Sequence, residues 1–325
     1  MPSHSGFTPP SATCRVLLTG GSGQLGQALR RSCPPWIELL PCSRADLNLA
    51  NPEACAHVIR EQRPDWILNA AAYTAVDRAE QEPSLCRAVN AEAPQAMAAV
   101  LAESGGAMLQ ISTDFVFNGS SGRPYRPDDP VAPLGVYGAS KAVAEQAVLT
   151  TLPPGRGFVI RTSWLYGPSG ANFLNTILRL HRERIIQGEP LRVVADQVGC
   201  PTSTTSLARA CWRLIEQVQA GGPCPPLLHW SDAGAASWYD FAHAIGRLAA
   251  SHGVLEQAAP VRPITSLDYP TLAARPSFSL LDCAASRAAL NDHPAHWQDE
   301  LDAVMAVVAA SSAASTQSHS GSSLS

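Results

Sequence analysis

The sequence has no long hydrophobic run and no cluster of charges of one sign. None of its apolar stretches approaches the roughly 18 to 20 residues that a membrane-spanning helix needs. Its 325 residues include 23 Lys and Arg against 27 Asp and Glu, and no basic run indicates a nucleic-acid or anionic-membrane surface. The first segment, MPSHSGFTPPSATC, lacks the charged and apolar regions of a signal peptide. We therefore expect a cytoplasmic protein with neither a membrane nor a nucleic acid as partner.

Closely spaced cysteines are also lacking, although the chain has nine cysteines in all. They are scattered, with no C-x-x-C pair and no nearby pair of histidines. Zinc sites show tighter spacing than this, and a disulfide framework favours an even count. We predict free thiols in a reducing compartment, and no metal site is assigned.

The order of apolar patterns along the chain predicts an α/β fold. Short β-like runs alternate with helical patterns between residues 15 and 161, and strands separated by helices must run parallel with right-handed crossovers. We predict a doubly wound parallel sheet, Rossmann-like, over residues 13–166. A smaller, mostly helical substrate-binding region follows over residues 167–310, with segments that return to the first domain. Residues 1–12 and 311–325 hold too little apolar surface to order and are predicted to be disordered tails.

A glycine-rich turn, TGGSGQLG, follows the first predicted strand and opens the first predicted helix. Gly20 and Gly23 would allow the turn and the close approach of a pyrophosphate, and Gly26 would let the helix pack on the strand. The spacing is G-x-x-G-x-x-G rather than G-x-G-x-x-G. Its position favours dinucleotide binding over a plain structural connection.

The end of the second predicted strand indicates which dinucleotide is bound. An NAD site usually has an Asp or Glu there for the ribose 2′-hydroxyl, whereas this chain has Ser43 and Arg44. A guanidinium and a hydroxyl could hold a 2′-phosphate through charge-assisted bonds. We predict NADPH, with NADH as the alternative if Arg44 is only a solvated loop residue.

Tyr137 and Lys141 lie four residues apart in VYGASK, so on a helix they share one face. A free tyrosine is a poor acid at neutral pH, and a neighbouring ammonium would stabilise its phenolate. Thr113 and Asp114 follow the fourth predicted strand and could point at the carbonyl that Tyr137 would protonate. This combination predicts nucleotide-dependent redox chemistry.

The motifs, in this order, resemble the dTDP-4-dehydrorhamnose reductase family of the extended short-chain dehydrogenase/reductase superfamily. The resemblance covers residues 14 to 285, and it is carried by these stretches: GGSGQLG, LNAAAYTAVDRAE, STDFVFNG, PLGVYGASKAVAEQ, RTSWLYG, NFLNTIL, DQVGCPT, SWYDFA and YPTLAARPSFSLLD. It implies hydride transfer from NADPH to the C4 ketone of dTDP-4-dehydro-6-deoxy-L-mannose. The implied partner is therefore a nucleotide sugar.

The resemblance also implies roles for individual residues. Thr113, Tyr137 and Lys141 would form the catalytic set. The cofactor would be lined by Gly23, Gln24 and Leu25 at the pyrophosphate, Asp46 and Leu47 at the adenine end, and Ala72, Tyr73 and Thr74 in the middle. The sugar would meet Thr113, Asp114 and Trp164. Some members are magnesium-dependent dimers, so a homodimer is expected, but no carboxylate cluster here can be assigned to magnesium.

One aromatic residue and one basic residue each have two possible roles. Trp164 either offers a flat face to the deoxysugar ring or packs in the core. Arg275 lies in a Pro-containing loop, where it either clamps the nucleotide diphosphate or serves as a solvated or helix-capping side chain.

Two rival functions also stay open. A 4-epimerase or dehydratase of the superfamily would retain bound NAD and return the hydride, but the acidic residue typical after its second strand is missing. A non-catalytic regulatory subunit, like the methionine adenosyltransferase β subunit, is disfavoured by intact Thr113, Tyr137 and Lys141.

Overall fold

The computed structural model describes the backbone of residues 13–320 and the side chains of residues 13–312. The predicted tail 1–12 and residues 321–325 lie outside the described residues. The strands are β1 Cys14–Thr19, β2 Ile37–Cys42, β3 Trp66–Asn69, β4 Ala107–Thr113, β5 Gly157–Thr162, β6 Leu165–Tyr166, β7 Leu191–Val194, β8 Val198–Gly199, β9 Thr202–Ser203, β10 Leu227–His229, β11 Ala236–Ser237 and β12 Val261–Ile264. The helices are α1 Gln24–Arg31, α2 Pro52–Gln62, α3 Val76–Ala79, α4 Pro83–Arg87, α5 Ala93–Ser104, α6 Val136–Thr151, α7 Phe173–Gln187, α8 Thr204–Gln219, α9 Trp238–Ser251, α10 Ala284–Leu290 and α11 Trp297–Ser320.

The main sheet has six parallel strands in the order β2-β1-β3-β4-β5-β10. Strand order reverses beside β1, which is the switch point where doubly wound sheets bind ligands at their carboxyl ends. The predicted fold class is confirmed. The β10 strand comes from the second half of the chain, so that half contributes an edge to the first sheet.

Both faces of the sheet are covered by helices, because its strands are apolar on both sides. Along β1, Val16 and Leu18 face one core together with α1 and α8, whereas Leu17 faces the other core with α2, α5 and α6. Adjacent strand residues point to opposite faces, so a nearly continuous apolar run fills both layers.

The second region packs α7, α9 and α11 around a separate core. The β7 and β12 strands form a two-stranded parallel sheet beside this core, and β6 pairs with β9. The α8 helix instead packs on α1 in the first core. Within residues 13–320, no helix is both long and apolar enough to cross a membrane.

The last helix corrects one predicted boundary. The α11 helix extends to Ser320, whereas the sequence interpretation ended the ordered chain at residue 310. Residues 311–320 contain neither Pro nor Gly, so no helix-breaking residue stops the helix there.

Candidate active site

A cleft of about 800 Å³ opens at the carboxyl ends of the central strands. It brings together most of the residues predicted for the site: Gly20, Gly23, Gln24, Leu25, Ala72, Thr74, Thr113, Asp114, Tyr137, Lys141, Trp164 and Arg275. An adjoining cavity of about 420 Å³ is lined by Arg44, Leu47 and Tyr73 and shares Gly20 and Ala72 with the cleft. Gly26 and Asp46 line neither cavity.

A larger cavity, of about 1020 Å³, lies near the amino ends of β1, β3 and β4. It contains none of the residues predicted for the site. Ligands of doubly wound sheets bind at the opposite, carboxyl edge. The cleft, rather than the larger cavity, is therefore the candidate active site.

The glycine turn is built by close backbone contacts. Gly20 has φ +66°, and a Cβ there would lie 2.9 Å from Cα of Ala71, so a side chain would be both strained and crowded. A Cβ on Gly26 would overlap the carbonyl oxygen of Gly20 at 2.1 Å, so α1 can approach the turn only with glycine there. Gly26 thus shapes the turn from outside the cleft. The N-cap, Gly23, has no side chain to cover the first turn of α1, whose N–H groups have no acceptor within the helix.

The side chain of Gln24 connects the two regions. Its Nε2 donates to the Leu165 carbonyl oxygen at 3.2 Å, and its Oε1 accepts from Nδ2 of Asn172 at 3.2 Å. Asn172 also caps α7 by accepting from the Asn175 backbone N–H. Because its amide is engaged in these contacts, only the backbone of Gln24 is left for a pyrophosphate.

The loop after β2 presents a free guanidinium at the second cavity. Arg44 is exposed and has no ion-pair partner among residues 13–312. Asp46 accepts from the Ser43 backbone N–H at 2.8 Å, and bonds from Ser43 lower the pKa of this carboxyl. Asp46 therefore shapes the loop that carries Arg44, and the buried Leu47 lines the same cavity.

Lys141 lies on the face of α6 that points toward β4. It is only 3% exposed, and its Nζ donates to the Ile111 carbonyl oxygen at 2.5 Å. Burial lowers the pKa of this ammonium to about 8, and the charges of Glu145 and Cys86 oppose that shift. At neutral pH the lysine is still protonated.

Burial raises the pKa of Tyr137, and the neighbouring Thr113 hydroxyl opposes the rise. The phenol therefore keeps its proton at neutral pH. The predicted effect of Lys141 on the Tyr137 phenolate stays a prediction. The Tyr137 ring packs edge-on against Phe115, with centroids 5.9 Å apart.

Thr113 and Asp114 form the end of β4 beside the phenol. The Thr113 hydroxyl donates to Asp114 Oδ1 at 3.0 Å and accepts from the Phe115 backbone N–H at 3.2 Å. Asp114 is 2% exposed, and its Oδ2 has no partner within residues 13–312. Burial raises the pKa of this carboxyl to about 6, while hydrogen bonds from Ser279 and Thr113 oppose the rise.

Trp164 lines the cleft, but its flat face is covered. Its indole stacks on that of Trp238 with centroids 3.6 Å apart and planes 7° from parallel. The predicted sugar-stacking use of this face is therefore wrong for the face that Trp238 covers. Trp164 also has φ +46°, a conformation that costs a bulky residue on the order of 1–3 kcal/mol and that clusters at functional sites.

Arg275 reaches the cleft, but its guanidinium is already paired. Its Nη2 and Nη1 bind the two carboxylate oxygens of Asp77 at 2.7 and 3.1 Å. This bond from Arg275 lowers the pKa of Asp77. The predicted diphosphate clamp would have to share the guanidinium with this carboxylate.

Asn172 and Trp238 are among the cleft residues to which the sequence interpretation gave no role. Trp238 belongs to the SWYDFA stretch and Asn172 begins NFLNTIL, both of which carried the resemblance without an assigned role. An aromatic residue after a helix N-cap gave no local signal that distinguishes a cleft wall from a core position.

The fold and the cleft together define a class: an α/β oxidoreductase that uses a nicotinamide dinucleotide. Comparison with known proteins narrows that class. The chain belongs to the family described as RmlD substrate binding domain, whose model matches residues 14–310.

Relatives of known name are similar to this chain over nearly its whole length. A dTDP-4-dehydrorhamnose reductase of Aggregatibacter actinomycetemcomitans is 38% identical over 295 residues, which cover 90% of this chain and 98% of the relative. The crystal structure of a dTDP-4-dehydrorhamnose reductase of Bacillus anthracis in complex with NADP is 34% identical, with a TM-score of 0.80 over 90% of this chain and 98% of that one. A UDP-glucose 4-epimerase of Thermotoga maritima, 16% identical with a TM-score of 0.70 over 90% of this chain and 97% of that one, shares the fold.

Proposed function

We propose that the protein reduces the C4 ketone of dTDP-4-dehydro-6-deoxy-L-mannose with NADPH to give dTDP-L-rhamnose, the last step of dTDP-L-rhamnose synthesis. The observation that carries this proposal is the meeting of Thr113, Tyr137 and Lys141 in one cleft with the glycine turn. Relatives that are 35–38% identical and named dTDP-4-dehydrorhamnose reductase support the choice of substrate.

In the proposed mechanism one residue of this chain donates a proton and another hydrogen-bonds the reacting oxygen. NADPH, when bound, supplies the hydride that adds to C4 of the sugar. Tyr137, which keeps its proton at neutral pH, gives that proton to the oxygen that becomes negative. Thr113 bonds the same oxygen once its hydroxyl turns from Asp114. Both contacts strengthen as charge develops, so they stabilise the transition state more than the ketone.

The residues of the cleft fit NADPH. The glycine turn lines the cleft, and the N–H groups at the start of α1 would face a pyrophosphate there. Arg44, exposed and without an ion-pair partner among the described residues, is the group that would hold the 2′-phosphate. Ala72, Tyr73 and Thr74 would border the middle of the cofactor, and Lys141 would hold the nicotinamide ribose. In the described part of the chain no three His, Cys, Asp or Glu side chains group to hold a metal ion, and no residue is assigned to magnesium.

The remaining parts of the proposal concern context. A homodimer is expected from the resemblance, and analytical ultracentrifugation would test it. A cytoplasmic location agrees with the nine cysteines, all of which lie within residues 13–312 and are free. A domain boundary near residue 167 is proposed, with α8 and β10 returning to the first domain.

The deciding experiment is a panel of dTDP- and UDP-linked 4-ketosugars assayed for oxidation of NADPH and NADH. The panel should include the substrate class of a Streptomyces antibioticus relative, a probable dTDP-4,6-dihydroxy-2-methyloxan-3-one 4-ketoreductase that is 38% identical. We expect fastest turnover of dTDP-4-dehydro-6-deoxy-L-mannose with NADPH. Interconversion of sugars without net cofactor consumption would indicate an epimerase, and no turnover of any member would indicate a regulatory subunit.

A further inference from the structure

The second region surrounds Trp164 with contacts that the proposed mechanism does not use. Two stretches provide them: DQVGCPT, residues 196–202, and the start of SWYDFA, residues 237–242. Trp164 stands between β5 and β6, where the chain leaves the main sheet, in a left-handed conformation that its own sequence does not favour. Contacts from elsewhere must therefore stabilise it.

The backbone around Trp164 is fixed by the first of these stretches. The Thr202 backbone N–H donates to the Trp164 carbonyl oxygen at 3.3 Å. The Ser163 hydroxyl donates to the Cys200 carbonyl oxygen at 2.6 Å. Both bonds join the segment after β5 to the segment around β9, so the turn at Trp164 cannot relax without breaking them.

The indole of Trp164 is held by two neighbours. Trp238 covers one face at a centroid distance of 3.6 Å, and the Trp238 Nε1–H donates to Gln197 Oε1 at 3.2 Å. Gly199 lies against the same indole: a Cβ there would come within 2.7 to 2.9 Å of three of its ring atoms, among them Cε2 and Nε1. Any side chain at Gly199 would therefore displace the ring. Phe173 supports the Trp238 ring in turn, with centroids 4.6 Å apart.

The stacked rings of Trp164 and Trp238 also lie between the cleft and a neighbouring cavity. Trp164 and Trp238 both line the cleft of about 800 Å³, and Trp238 also lines a neighbouring cavity of about 370 Å³. The Trp238 ring is thus a wall common to both, and its position sets where the cleft ends on the side of the second region.

We propose that Gly199 and Trp238 are positioning residues that hold the Trp164 indole in place at the sugar end of the cleft and so determine how tightly the ketosugar is bound. This inference rests on the proposed function, because it assigns that end of the cleft to the sugar. It gives the DQVGCPT and SWYDFA stretches a shared role: Gly199 leaves room for the indole, Trp238 covers it, and Gln197 orients Trp238.

A spectroscopic test, which needs no substrate, asks whether Gly199 and Trp238 hold the Trp164 indole in place. Two indoles stacked face to face couple electronically and give a paired exciton band in the circular dichroism spectrum. We expect this band in the wild-type protein and its loss in Gly199→Ala, because the added methyl group displaces Trp164. Gly122→Ala is the matched control, since a Cβ there meets nothing within 4 Å. A circular dichroism spectrum that is the same in Gly199→Ala as in the wild type would overturn the proposal.

Kinetics then test what the support does. Gly199→Ala and Trp238→Ala should raise the KM for the ketosugar by roughly 3- to 10-fold, the scale of one aromatic pair. Trp238→Phe, which keeps an aromatic face but loses the bond to Gln197, should give an intermediate KM. The dissociation constant for NADPH, measured by direct fluorescence titration, should stay within about twofold of the wild type in all three variants.

Trp230→Phe is the matched control for the tryptophan variants, because Trp230 is buried in the first core and bonds Ser206 away from the cleft. It should lower the melting temperature and leave the KM unchanged. Loss of the exciton band with an unchanged KM, or equal changes in ketosugar KM and NADPH affinity, would overturn the proposal. If the wild type reduces no ketosugar, the proposed function fails, and the circular dichroism result still decides whether Gly199 holds Trp164.

Discussion

The surroundings of the cleft residues shift the pKa values of their side chains in different directions. Lys141 is buried with a carbonyl oxygen as its only hydrogen-bond partner in residues 13–312, and its pKa falls to about 8. Tyr137 has its pKa raised by burial. The phenol is thus set as a proton donor, and the Lys141 ammonium on the same face of α6 is the charge that we propose to stabilise the phenolate once the proton has left.

Replacing the proposed acid tests that assignment. Tyr137→Phe keeps the ring that packs against Phe115 and removes the proton donor. We expect kcat to fall by roughly 10²- to 10⁴-fold, with unchanged circular dichroism and NADPH affinity. Turnover near the wild-type value at saturating substrate would remove Tyr137 from the mechanism.

The lysine predicts a pH dependence. An ammonium with a pKa of about 8 is charged below that pH and neutral above it, so kcat/KM, which reports the free enzyme, should be flat at neutral pH and fall above about pH 8. Unfolding would not explain the loss: above pH 8 the unfolded chain binds more protons at this lysine than the folded one, so this group's contribution to stability rises with pH. A profile that stays flat to pH 10 would contradict the role of a charged Lys141.

Cofactor choice is a further property of single residues. Arg44→Ala should weaken NADPH binding by roughly tenfold, the low end expected for a hydrogen bond to a charged group because the guanidinium is exposed, and it should leave NADH nearly unchanged. Isothermal titration with both cofactors measures the difference. Equal losses for NADPH and NADH would show that Arg44 only shapes the loop.

At the scale of elements, the site depends on how closely α6 approaches the end of β4. Gly138 follows Tyr137 on α6, and a Cβ there would lie 2.2 Å from the Phe115 carbonyl oxygen. The helix can contact the short 3₁₀ turn over residues 114–116 only because this position has no side chain. The distance between Tyr137 and Thr113 therefore depends on a neighbouring glycine as well as on their own identities.

A small substitution on α6 should distinguish an effect on the position of Tyr137 from an effect on the stability of the protein. Gly138→Ala should lower kcat by at least about tenfold, because the helix must move away from Phe115 and take the phenol with it. Ala139→Gly on the exposed side of the same helix is the control: it should cost about 1 kcal/mol of stability and leave kcat unchanged. If both variants lose activity in proportion to their melting temperatures, α6 placement is not the cause.

At the scale of the whole molecule, a buried ion pair connects the elements beneath the cleft. Arg161 on β5 binds Glu145 on α6 through two bonds of 2.7 and 2.9 Å, and Glu145 also accepts from Ser112 on β4. The same guanidinium bonds His229 on β10, whose pKa is lowered to about 3 chiefly by burial, so this histidine stays neutral. Both ions are nearly inaccessible, with side chains 4% and 5% exposed.

Removing one partner of this pair should destabilise the whole fold. Arg161→Ala leaves the Glu145 carboxylate buried without its counter-ion, so we expect a loss of about 3–5 kcal/mol in the free energy of unfolding, measured by urea denaturation. The surface pair of Arg179 and Glu183 is the control, and Arg179→Ala should change stability by less than about 1 kcal/mol. Similar losses in both variants would show that burial of the pair is not what matters.

The sequence by itself determined the sheet, its helices and which residues are candidates for the reaction. Short apolar runs that alternate with helical patterns predicted the strands. The spacing of the three glycines, Gly20, Gly23 and Gly26, predicted the turn, and the four-residue spacing of Tyr137 and Lys141 predicted that they share a helix face. These signals lie within a few residues of one another, so no knowledge of the chain path was needed.

Only the tertiary structure decided what the residues of the cleft touch. Trp164 lies against Trp238 instead of offering that face to a sugar, and Arg275 pairs with Asp77, 198 positions away. Contacts of this kind depend on how distant segments cross, which local patterns do not encode. The end of α11 was missed for a different reason, because composition suggested a tail where no Pro or Gly interrupts the helix.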